Sequence, residues 1–350
     1  MIASVRIVGA GLIGSSIGMA LSTHDIAVEM IDSDPRSQAL ARDLVGSVVI
    51  AEPELIIIAT PLSAFKKVFE EQIRLNPDSI VMDIGSIKTK PIHDVEIIDT
   101  KNANFVATHP MAGREVGGAE SARGDLFVSR SWVITPTEST SPDAVEKVRE
   151  LIQVLGAHIV VLDPSAHDAA VARISHLPQI LSSLLASTLE NVPGEWLELA
   201  GAGLRDTTRI AASDENLWKE IIHSNREEIS QLLLSLQNDI GVFIAALGDE
   251  ESIAQLLLKG KSGKMRIPGK HGGKAREYTY LPIVIEDKPG QLGAIFNECA
   301  LMQVNVEDLT IEHSPGQLNA LITLALNAND ASILSDHLSA IGWNVHPIRK

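Results

Sequence analysis

Short apolar runs rich in β-branched residues alternate with amphipathic stretches through the first half of the chain. This alternation is typical of βαβ units, in which parallel strands form a sheet and helices cover its faces. The predicted strands are Val5–Val8, Ala27–Ile31, Leu55–Ala59, Ile80–Ile84, Phe105–Thr108, Trp132–Thr135 and His158–Leu162. We therefore predict an α/β domain with a parallel sheet over residues 1–163.

The pattern changes after Pro164. From Ala166 to Leu258, apolar residues recur at intervals of three and four, which indicates helices. The stretch Ile229–Leu247 is apolar around much of its circumference. It is therefore predicted to be buried, either in the core of the same chain or against a second subunit. Residues 164–258 are predicted to form an all-helical domain.

Strands and helices resume beyond residue 278 in the order βαββαβ. The predicted elements are strand Tyr280–Ile285, helix Gln291–Met302, strands Val306–Glu312 and Leu318–Leu326, helix Ala331–Ile341 and strand Trp343–Pro347. A segment of about seventy residues can fold on its own, so 278–350 is predicted to be a third domain. The basic, glycine-rich stretch 259–277 before it is predicted to be a solvated linker rather than an interaction tail.

Composition narrows the classes of partner. The formal charge of −16 over 350 residues favours small-molecule ligands, since nucleic-acid binding depends on Lys and Arg displacing counterions. No segment reaches the ~20 apolar residues of a membrane span, and the N-terminus lacks the features of a secretion signal, so we expect a cytoplasmic protein. The single cysteine, Cys299, excludes an intrachain disulfide. No spacing of His, Cys and carboxylates indicates a metal site.

A glycine-rich turn follows the first predicted strand directly. Its sequence, Gly9-Ala10-Gly11-Leu12-Ile13-Gly14, opens an apolar helix that runs to Leu21. In a Rossmann dinucleotide-binding domain the three glycines provide a tight turn, close approach of the pyrophosphate and close helix packing, and the helix N-terminus binds the phosphates. We predict that Gly9, Gly11, Leu12, Ile13 and Gly14 bind a dinucleotide cofactor.

Asp32 ends the second predicted strand, where a carboxylate accepts hydrogen bonds from the adenosine ribose. This favours NAD over NADP, because an acidic group repels a 2′-phosphate, although Ser33 and Arg36 are close enough to accept one. Thr60 and Pro61 close the third predicted strand and therefore face the same crevice. Thr60 is interpreted as a ribose or nicotinamide contact, or as the cap of the next helix.

Two further polar clusters, Asp83–Lys88 and Thr108–Gly113, lie at the ends of predicted strands. In the second, His109 is well placed to take a proton from a substrate hydroxyl while hydride leaves the same carbon. The ordinary pKa of histidine suits that role near neutrality. Taken alone, however, a single histidine is better explained as a packing or capping residue.

Four motifs occur in a fixed order along residues 1 to about 250, namely Asp83–Lys88, His109–Glu115, Ser175–Gln179 and Gly201–Ala211. Together they resemble the motif set of the prephenate/arogenate dehydrogenase family. The resemblance implies a Rossmann domain followed by an all-helical dimerisation domain, and therefore a homodimer. It also implies NAD-dependent conversion of prephenate to 4-hydroxyphenylpyruvate in tyrosine biosynthesis, with arogenate as the alternative substrate.

The resemblance implies roles for individual residues. His109 would be the base on the ring hydroxyl, and Ser86 would bond near that hydroxyl and the nicotinamide. Lys88 would bind substrate or orient His109. Arg209 would bind a substrate carboxylate, and Asp206, one helical turn before it, would hold the guanidinium.

Three further residues are implied to lie at the substrate. His176 would line the pocket, and Trp218 would be an aromatic near the site or a core residue. Gln179 stands where some family members carry a second histidine, at a position that faces the substrate side chain. Because Gln carries no charge, a pyruvyl carboxylate would lack a cationic partner here, which disfavours prephenate. The acidic pair Asp214 and Glu215 would favour the ammonium group of an alanyl side chain, as in arogenate. The preference between prephenate and arogenate therefore stays open.

The C-terminal stretches Asp287–Gly293 and Val304–Glu312 resemble parts of an ACT domain, a module that commonly binds amino acids. The implied effector is tyrosine or another aromatic amino acid. Its predicted contacts are Asp287, Pro289, Gly290, Gln291, Leu292 and Asn305. The alternative is a dimerisation module without a ligand. Two rival functions for the whole chain are a hydroxyacid dehydrogenase with a catalytic Lys, and a nucleotide-sensing regulator without turnover.

Overall fold

All seven strands predicted for the first half are present, and they form one sheet. The computed structural model describes residues 2–99, 103–114, 116–267, 278–313 and 318–349. The strands are β1 (Ser4–Val8), β2 (Ala27–Ile31), β3 (Leu55–Ile58), β4 (Ile80–Asp83), β5 (Phe105–Pro110), β6 (Ser131–Thr135) and β7 (His158–Val161). Their order in the sheet is β2-β1-β3-β4-β5-β6-β7.

The core lies on both faces of this sheet. All four residues of β3 are buried. Leu55 and Ile57 belong to one apolar cluster, and Ile56 and Ile58 belong to another, because successive side chains of a strand point to opposite faces. The helices of this region are α1 (Leu12–Leu21), α2 (Pro35–Val45), α3 (Leu62–Leu75), α4 (Thr89–Ile98) and α5 (Pro142–Val154). A predominantly parallel sheet with two apolar faces requires such a cover.

The predicted parallel sheet is confirmed for β1 to β5 but not for its last two strands, β6 and β7, which run in the opposite direction. β6 runs antiparallel to β5, whereas the other neighbouring pairs are parallel. A parallel return needs a crossover connection, usually a helix. The described residues between β5 and β6 contain a 3-10 turn, Ala119–Ser121, and no α-helix. The chain therefore re-enters the sheet in the opposite direction.

The strand order places a crevice beside β1. This strand lies between β2 and β3, so the chain leaves it on one side and later returns on the other. Such a reversal opens a crevice at the carboxyl ends of the strands, where ligands bind in open α/β sheets. The glycine-rich turn after β1 and the loops after β3 and β4 lie at this edge.

Residues 164–245 are helical, as the change of period predicted. The elements are α6 (Pro164–Val171), a π-helical turn (Ala172–His176), α7 (Leu177–Ser187), α8 (Gly194–Leu197), α9 (Ala202–Thr208), a 3-10 turn (Arg209–Ala212), α10 (Glu215–Ser224) and α11 (Arg226–Ala245). Asp163 caps α6 by accepting a hydrogen bond from Ser165 N at 2.9 Å. Pro164 occupies the first helical position, which suits its fixed φ. These two residues fix the start of the helical region.

Of the two predictions for Ile229–Leu247, burial in the core of the same chain is wrong for most of the stretch. Ile229 is buried, but Leu234, Val242 and Ile244 are 65%, 58% and 62% exposed. An apolar patch of this kind marks an interaction surface. Among the described residues, no helix is long and apolar enough to cross a membrane.

The chain divides into two compact units, residues 1–244 and 245–350. The second unit contains α12 (Glu250–Met265), β8 (Thr279–Glu286), α13 (Gln291–Leu301), β9 (Asp308–His313), β10 (Asn319–Leu326), α14 (Ala328–Ala340) and β11 (Asn344–Val345). Its antiparallel sheet has the order β11-β8-β10-β9. The predicted βαββαβ order from residue 278 is thus present. A separate apolar cluster, which includes Ile283, Ile295 and Leu334, forms the core of this unit.

The predicted linker 259–277 is not a loop over its first part. Helix α12 continues to Met265, and residues 268–277 lie outside the described part of the chain. Gly260 and Gly263 weaken the helical pattern over residues 259–265. Lysines near the helix end interact favourably with its negative pole, and Lys264 lies in the last turn. The helix therefore extends beyond residue 258, where its apolar periodicity stops.

Candidate active site

The glycine-rich turn after β1 is shaped by close backbone contacts. Gly9 has φ +117°, and a Cβ on it would lie 2.3 Å from Ala59 O at the end of β3. A Cβ on Gly14 would lie 2.1 Å from Gly9 O. A Cβ on Gly11 would meet no atom within 4 Å. The turn is therefore closed on the protein side and open at Gly11, the position where a pyrophosphate approaches the backbone.

Asp32 lies against the same turn. Its Oδ2 accepts a hydrogen bond from Ala10 N at 2.6 Å, and its Oδ1 accepts one from Asp34 N at 2.8 Å. The side chain remains partly exposed. A fixed and partly exposed carboxylate beside the glycines fits the predicted recognition of ribose hydroxyls.

The loop after β3 offers a polar group at this crevice. Thr60 Oγ1 is buried and has no hydrogen-bond partner among the described residues. The alternative role of Thr60 as a helix cap is wrong, because Pro61 occupies the N-cap position of α3. A buried hydroxyl without a partner costs free energy. A cofactor that bonds to Thr60 would remove this cost.

A buried ion pair lies under the loops that end β4 and β5. Lys88 is 0% exposed. Its Nζ contacts Asp83 Oδ2 and donates to Thr108 O. Asp83 also accepts from Thr108 N at 3.0 Å and from Gly85 N at 2.9 Å. Burial raises the pKa of Asp83 and lowers the pKa of Lys88, and their mutual contact opposes both shifts.

This geometry favours one of the two roles expected for Lys88. Its ammonium group lies in the protein interior, so the structure does not support direct binding of substrate. The contact with Thr108 O instead fixes the end of β5 next to His109. Lys88 therefore positions the strand that carries the expected base.

His109 is partly exposed and lies near the end of β5. Its Nδ1 is 2.9 Å from His167 Nε2, and His167 Nδ1 is 2.7 Å from Asp168 Oδ1. Burial lowers the pKa of His109 well below its ordinary value, and the nearby Lys88 contributes to the same shift. The imidazole is therefore neutral at neutral pH and able to accept a proton.

His176 lies at the end of the π-helical turn and is buried. Asn225 Nδ2 lies 3.1 Å from His176 Nδ1 and donates to Asp168 O at 2.9 Å. Because a carbonyl only accepts, this nitrogen is a donor, and His176 Nδ1 must accept from it. His176 then carries its proton on Nε2. Burial lowers the pKa of His176 to about 4.

Trp218 packs against His176 rather than in a separate core. The two ring centroids are 6.0 Å apart with an interplanar angle of 81°. Helix α10, which carries Trp218, also contacts the first turn of α3, because Glu220 accepts from Ser63 N at 3.2 Å and from Ser63 Oγ at 2.8 Å. These contacts hold the helical region against the cofactor crevice.

Gln179 differs from its predicted role. Its side chain is buried, and Nε2 donates to Ile210 O at 2.9 Å. The amide therefore holds the 3-10 turn that begins with Arg209, instead of being free to meet a substrate side chain. Arg209 and Asp206 are both exposed, on either side of the end of α9. Through Gln179, the turn with Arg209 is connected to the helix that starts beside His176.

Three of the residues in this network escaped the sequence analysis. His167, Asp168 and Asn225 make the contacts described above, yet they lie outside the motifs from which the site was predicted. The one available signal was the adjacent His-Asp pair one turn after Asp163. Ser86 was predicted, and it lies partly exposed in the loop between Asp83 and Lys88. Asp214 caps α10 through Asn216 N at 2.7 Å, which is a structural role.

The residues expected to bind an effector fall into two groups. Asp287, Pro289, Gly290, Gln291 and Leu292 form the turn from β8 to α13. Asn305 lies just before β9, whose first residue, Asp308, pairs with Ala325 near one end of β10. Asp287 N donates to Leu318 O at the opposite end of β10. At about 3.4 Å per residue, the two groups are roughly 20 Å apart. One chain does not bring them together.

Among the described residues, no group of three or more His, Cys, Asp or Glu is arranged to hold a metal ion.

Two consecutive family models match more than half of the chain. Residues 22–161 match the nucleotide-binding domain of prephenate dehydrogenase, and residues 163–257 match the prephenate dehydrogenase dimerization domain. The chain belongs to the prephenate dehydrogenase family. This membership confirms the resemblance drawn from the four motifs.

Individual relatives agree with the family assignment. The prephenate dehydrogenase of Bacillus subtilis is 25% identical over 93% of both chains. A solved prephenate dehydrogenase from Aquifex aeolicus, in complex with hydroxyphenyl propionate and NAD+, has a TM-score of 0.70 at 26% identity, and covers 77% of this chain and 99% of its own. A Synechocystis arogenate dehydrogenase has a TM-score of 0.65 at 26% identity, and covers 75% and 98%. The relatives of this prephenate dehydrogenase family member thus include enzymes named for prephenate and enzymes named for arogenate.

Proposed function

We propose that this chain is an NAD-dependent prephenate dehydrogenase, which converts prephenate to 4-hydroxyphenylpyruvate and CO2. The observation that carries the proposal is the neutral imidazole of His109 at the sheet edge that also holds the glycine-rich turn. The Aquifex aeolicus relative, whose complex holds NAD+ and an aromatic acid, supports this choice of cofactor and substrate class.

The cofactor would be bound by groups that fit it. Gly9 and Gly14 allow the turn to pack closely against the protein, and Gly11 leaves the backbone open to a pyrophosphate. Asp32 would accept from the ribose hydroxyls, and Thr60 Oγ1 would gain its missing partner. Leu12 and Ile13 begin α1, whose free N–H groups would face the phosphates. When bound, NAD accepts the hydride that leaves the ring carbon.

The remaining chemistry requires one proton to be held and returned. His109 Nε2 would take the proton of the ring hydroxyl as the C–H bond breaks, which leaves a ring ketone. Loss of the ring carboxylate as CO2 then returns an electron pair to the ring, and the oxygen takes the proton back from His109. Ser86 would bond near this oxygen. Arg209 would bind a carboxylate of the substrate, and Trp218 and His176 would shape the pocket.

Arogenate is the second candidate substrate, supported by the Synechocystis relative. Prephenate and arogenate share the ring and the ring carboxylate and differ in the side chain. Gln179 carries no charge, so it would not add a cationic partner for a pyruvyl carboxylate, and its amide already donates to Ile210 O.

A single assay tests both candidates. The purified chain is mixed with NAD and either prephenate or arogenate, and the absorbance of the reduced cofactor is followed. We expect turnover with prephenate at a higher kcat/KM than with arogenate. The reverse ranking would assign the chain as an arogenate dehydrogenase. No turnover with either substrate would contradict the proposed function and favour a regulator.

We propose that the functional form is a homodimer. Its support is the exposed apolar surface of α11 and the match of residues 163–257 to a dimerization domain. Sedimentation equilibrium should give twice the chain mass of 37.6 kDa. Leu234→Lys on the exposed face should shift the protein toward monomer, whereas Leu44→Lys, on exposed α2, should not.

We also propose that the C-terminal unit is an ACT-like regulatory domain that binds tyrosine. Its support is the βαββαβ order and the turn at Gly290, which has φ +91° and ends at the start of α13. Because Asn305 lies about 20 Å from this turn along the sheet, a site that uses both would take them from two chains. Calorimetric titration of the full chain with tyrosine should give saturable heat that Asn305→Ala reduces. No heat with any aromatic amino acid would exclude the sensing role.

A further inference from the structure

Three side chains form a continuous line from the helical region to the substrate side of the sheet. Asp168 Oδ1 is 2.7 Å from His167 Nδ1, and His167 Nε2 is 2.9 Å from His109 Nδ1. The two imidazole rings meet edge to face, with centroids 5.1 Å apart and an interplanar angle of 73°. Asp168 and His167 are 2% and 0% exposed, so water does not compete for these bonds.

Asp168 is held as a charged acceptor. Oδ1 accepts from Lys88 N at 2.8 Å as well as from His167, and Oδ2 accepts from Thr89 N at 2.9 Å and from Thr89 Oγ1. Burial raises the pKa of Asp168, but the hydrogen bonds from His167 and Thr89 outweigh it, and the net shift is downward. An ionised carboxylate with four donors around it cannot itself donate.

The protonation of the two rings follows from this acceptor. Since Asp168 only accepts, His167 must carry a proton on Nδ1. In neutral His167 the other nitrogen, Nε2, has a lone pair and accepts, so the proton in the bond between the rings belongs to His109 Nδ1. Neutral His109 then has its lone pair on Nε2. This is the nitrogen left to face a substrate hydroxyl.

We propose that His167 and Asp168 are a positioning dyad, which fixes the protonation state of His109 and stabilises its cationic form during turnover. The inference rests on the proposed function, because it concerns the base of that reaction. Neither residue touches the reacting atoms.

The dyad stabilises the positive charge on His109 without removing the proton that His109 has accepted. When His109 Nε2 accepts the hydroxyl proton, the ring becomes an imidazolium, and its Nδ1–H points along the line toward the Asp168 carboxylate. The attraction lowers the energy of this short-lived cation. After CO2 leaves, the same proton returns to the ring oxygen from Nε2, and no proton is gained or lost overall.

The carboxylate of the dyad also offsets the effect of other groups around His109 that disfavour its cationic form. Lys88 from the loop after β4, His167 of the dyad itself and His176 from the π-helical turn all disfavour a cation at His109. The charge of Lys88 is paired with Asp83. Asp168 is thus the carboxylate that reaches His109 through a hydrogen-bonded chain.

The first test needs no catalysis. Histidine-specific 15N labelling of the full chain reports the tautomer of each ring, and the His109→Asn variant identifies the signal of residue 109. We expect His109 to be protonated on Nδ1 at neutral pH, and Asp168→Asn to change this tautomer. A wild-type His109 protonated on Nε2 alone would overturn the inference.

The second test separates positioning from simple structural support. His167→Gln keeps Asp168 with its contacts to Lys88 and Thr89, while the imidazole link is lost. We expect kcat to fall about 100-fold in Asp168→Asn and His167→Gln, with KM and NAD affinity changed less than threefold. The control His158→Gln, at an exposed site on β7, should match wild type.

The pH profile distinguishes the outcomes. Without the carboxylate, the imidazolium of His109 is less stable, so the acid limb of the kcat profile should move to lower pH in Asp168→Asn. Wild-type kcat in His167→Gln with an unmoved profile in Asp168→Asn would overturn the dyad while the enzyme function stands. If wild type turns over neither substrate, the proposed function fails, and the labelling result still decides the tautomer.

Discussion

The buried His176 should make the fold sensitive to acid, and this effect can be worked out from the structure. Its pKa is lowered from 6.5 to about 4, chiefly by burial, while Asp168 opposes the shift and His167 adds to it. Between these two values the unfolded chain binds a proton that the folded chain does not. Stability therefore falls as the pH drops from 6.5 toward 4, and no further loss comes from this group below about pH 4.

The magnitude follows from the size of the shift. Each pKa unit corresponds to about 1.4 kcal/mol, so the full effect is about 3 kcal/mol. Because the sequence pI is about 5.1, measurements are best stopped at about pH 5.5. Integration from about pH 8 to 5.5 gives an expected loss of about 1.4 kcal/mol from this residue.

The perturbation is His176→Gln, whose carbonyl oxygen still accepts from Asn225 Nδ2 but which does not ionise. Urea unfolding, followed by the fluorescence of Trp218 and the other tryptophans, gives the free energy of unfolding at each pH. The loss between about pH 8 and 5.5 should be smaller in His176→Gln than in wild type by about 1.4 kcal/mol. His158→Gln on the exposed strand β7 serves as control. Equal losses in His176→Gln and wild type would refute the reasoning.

Three further predictions concern the site. His109→Asn should lower kcat by about 10²- to 10⁴-fold with unchanged NAD affinity, and steady-state kinetics with unchanged kcat would exclude this base. Gly14→Ala places a methyl 2.1 Å from Gly9 O and should weaken NAD binding at least about tenfold in a fluorescence titration; Gly194→Ala, in open space, should have no effect. Asp32→Asn should raise the ratio of NADP to NAD affinity, and an unchanged ratio would contradict the assigned ribose contact.

Much of the candidate site could be predicted from the polar residues that follow the predicted strands. Buried β-branched runs such as Leu55–Ile58 predict strands, and polar residues that follow parallel strands meet at one edge of the sheet. That logic predicted the positions of Asp32, Thr60 and His109, which lie in or after β2, β3 and β5. The same logic did not foresee that β6 and β7 run opposite to the other strands, because it takes no account of the missing crossover helix between β5 and β6.

The helical half of the site was harder to predict. His167 and His176 are nine positions apart, which in a regular α-helix at 100° per residue would put them on opposite sides. The π-helical turn Ala172–His176 changes that angle, and such turns are frequent at functional sites. The turn leaves no pattern in the spacing of apolar residues, so the connection of both histidines to Asp168, directly for His167 and through Asn225 for His176, was not predictable.

The sequence by itself determined the order and type of the elements, the glycine turn that fits a dinucleotide, and the histidine at the end of β5. Each of these depends on the neighbours of a residue along the chain. The tertiary structure alone decided that Lys88 is buried, that Gln179 holds the turn of Arg209, and that Asp168 reaches His109 through His167. These facts depend on contacts between residues far apart in sequence, such as Lys88 and Asp168, and only packing brings such groups into hydrogen-bonding distance.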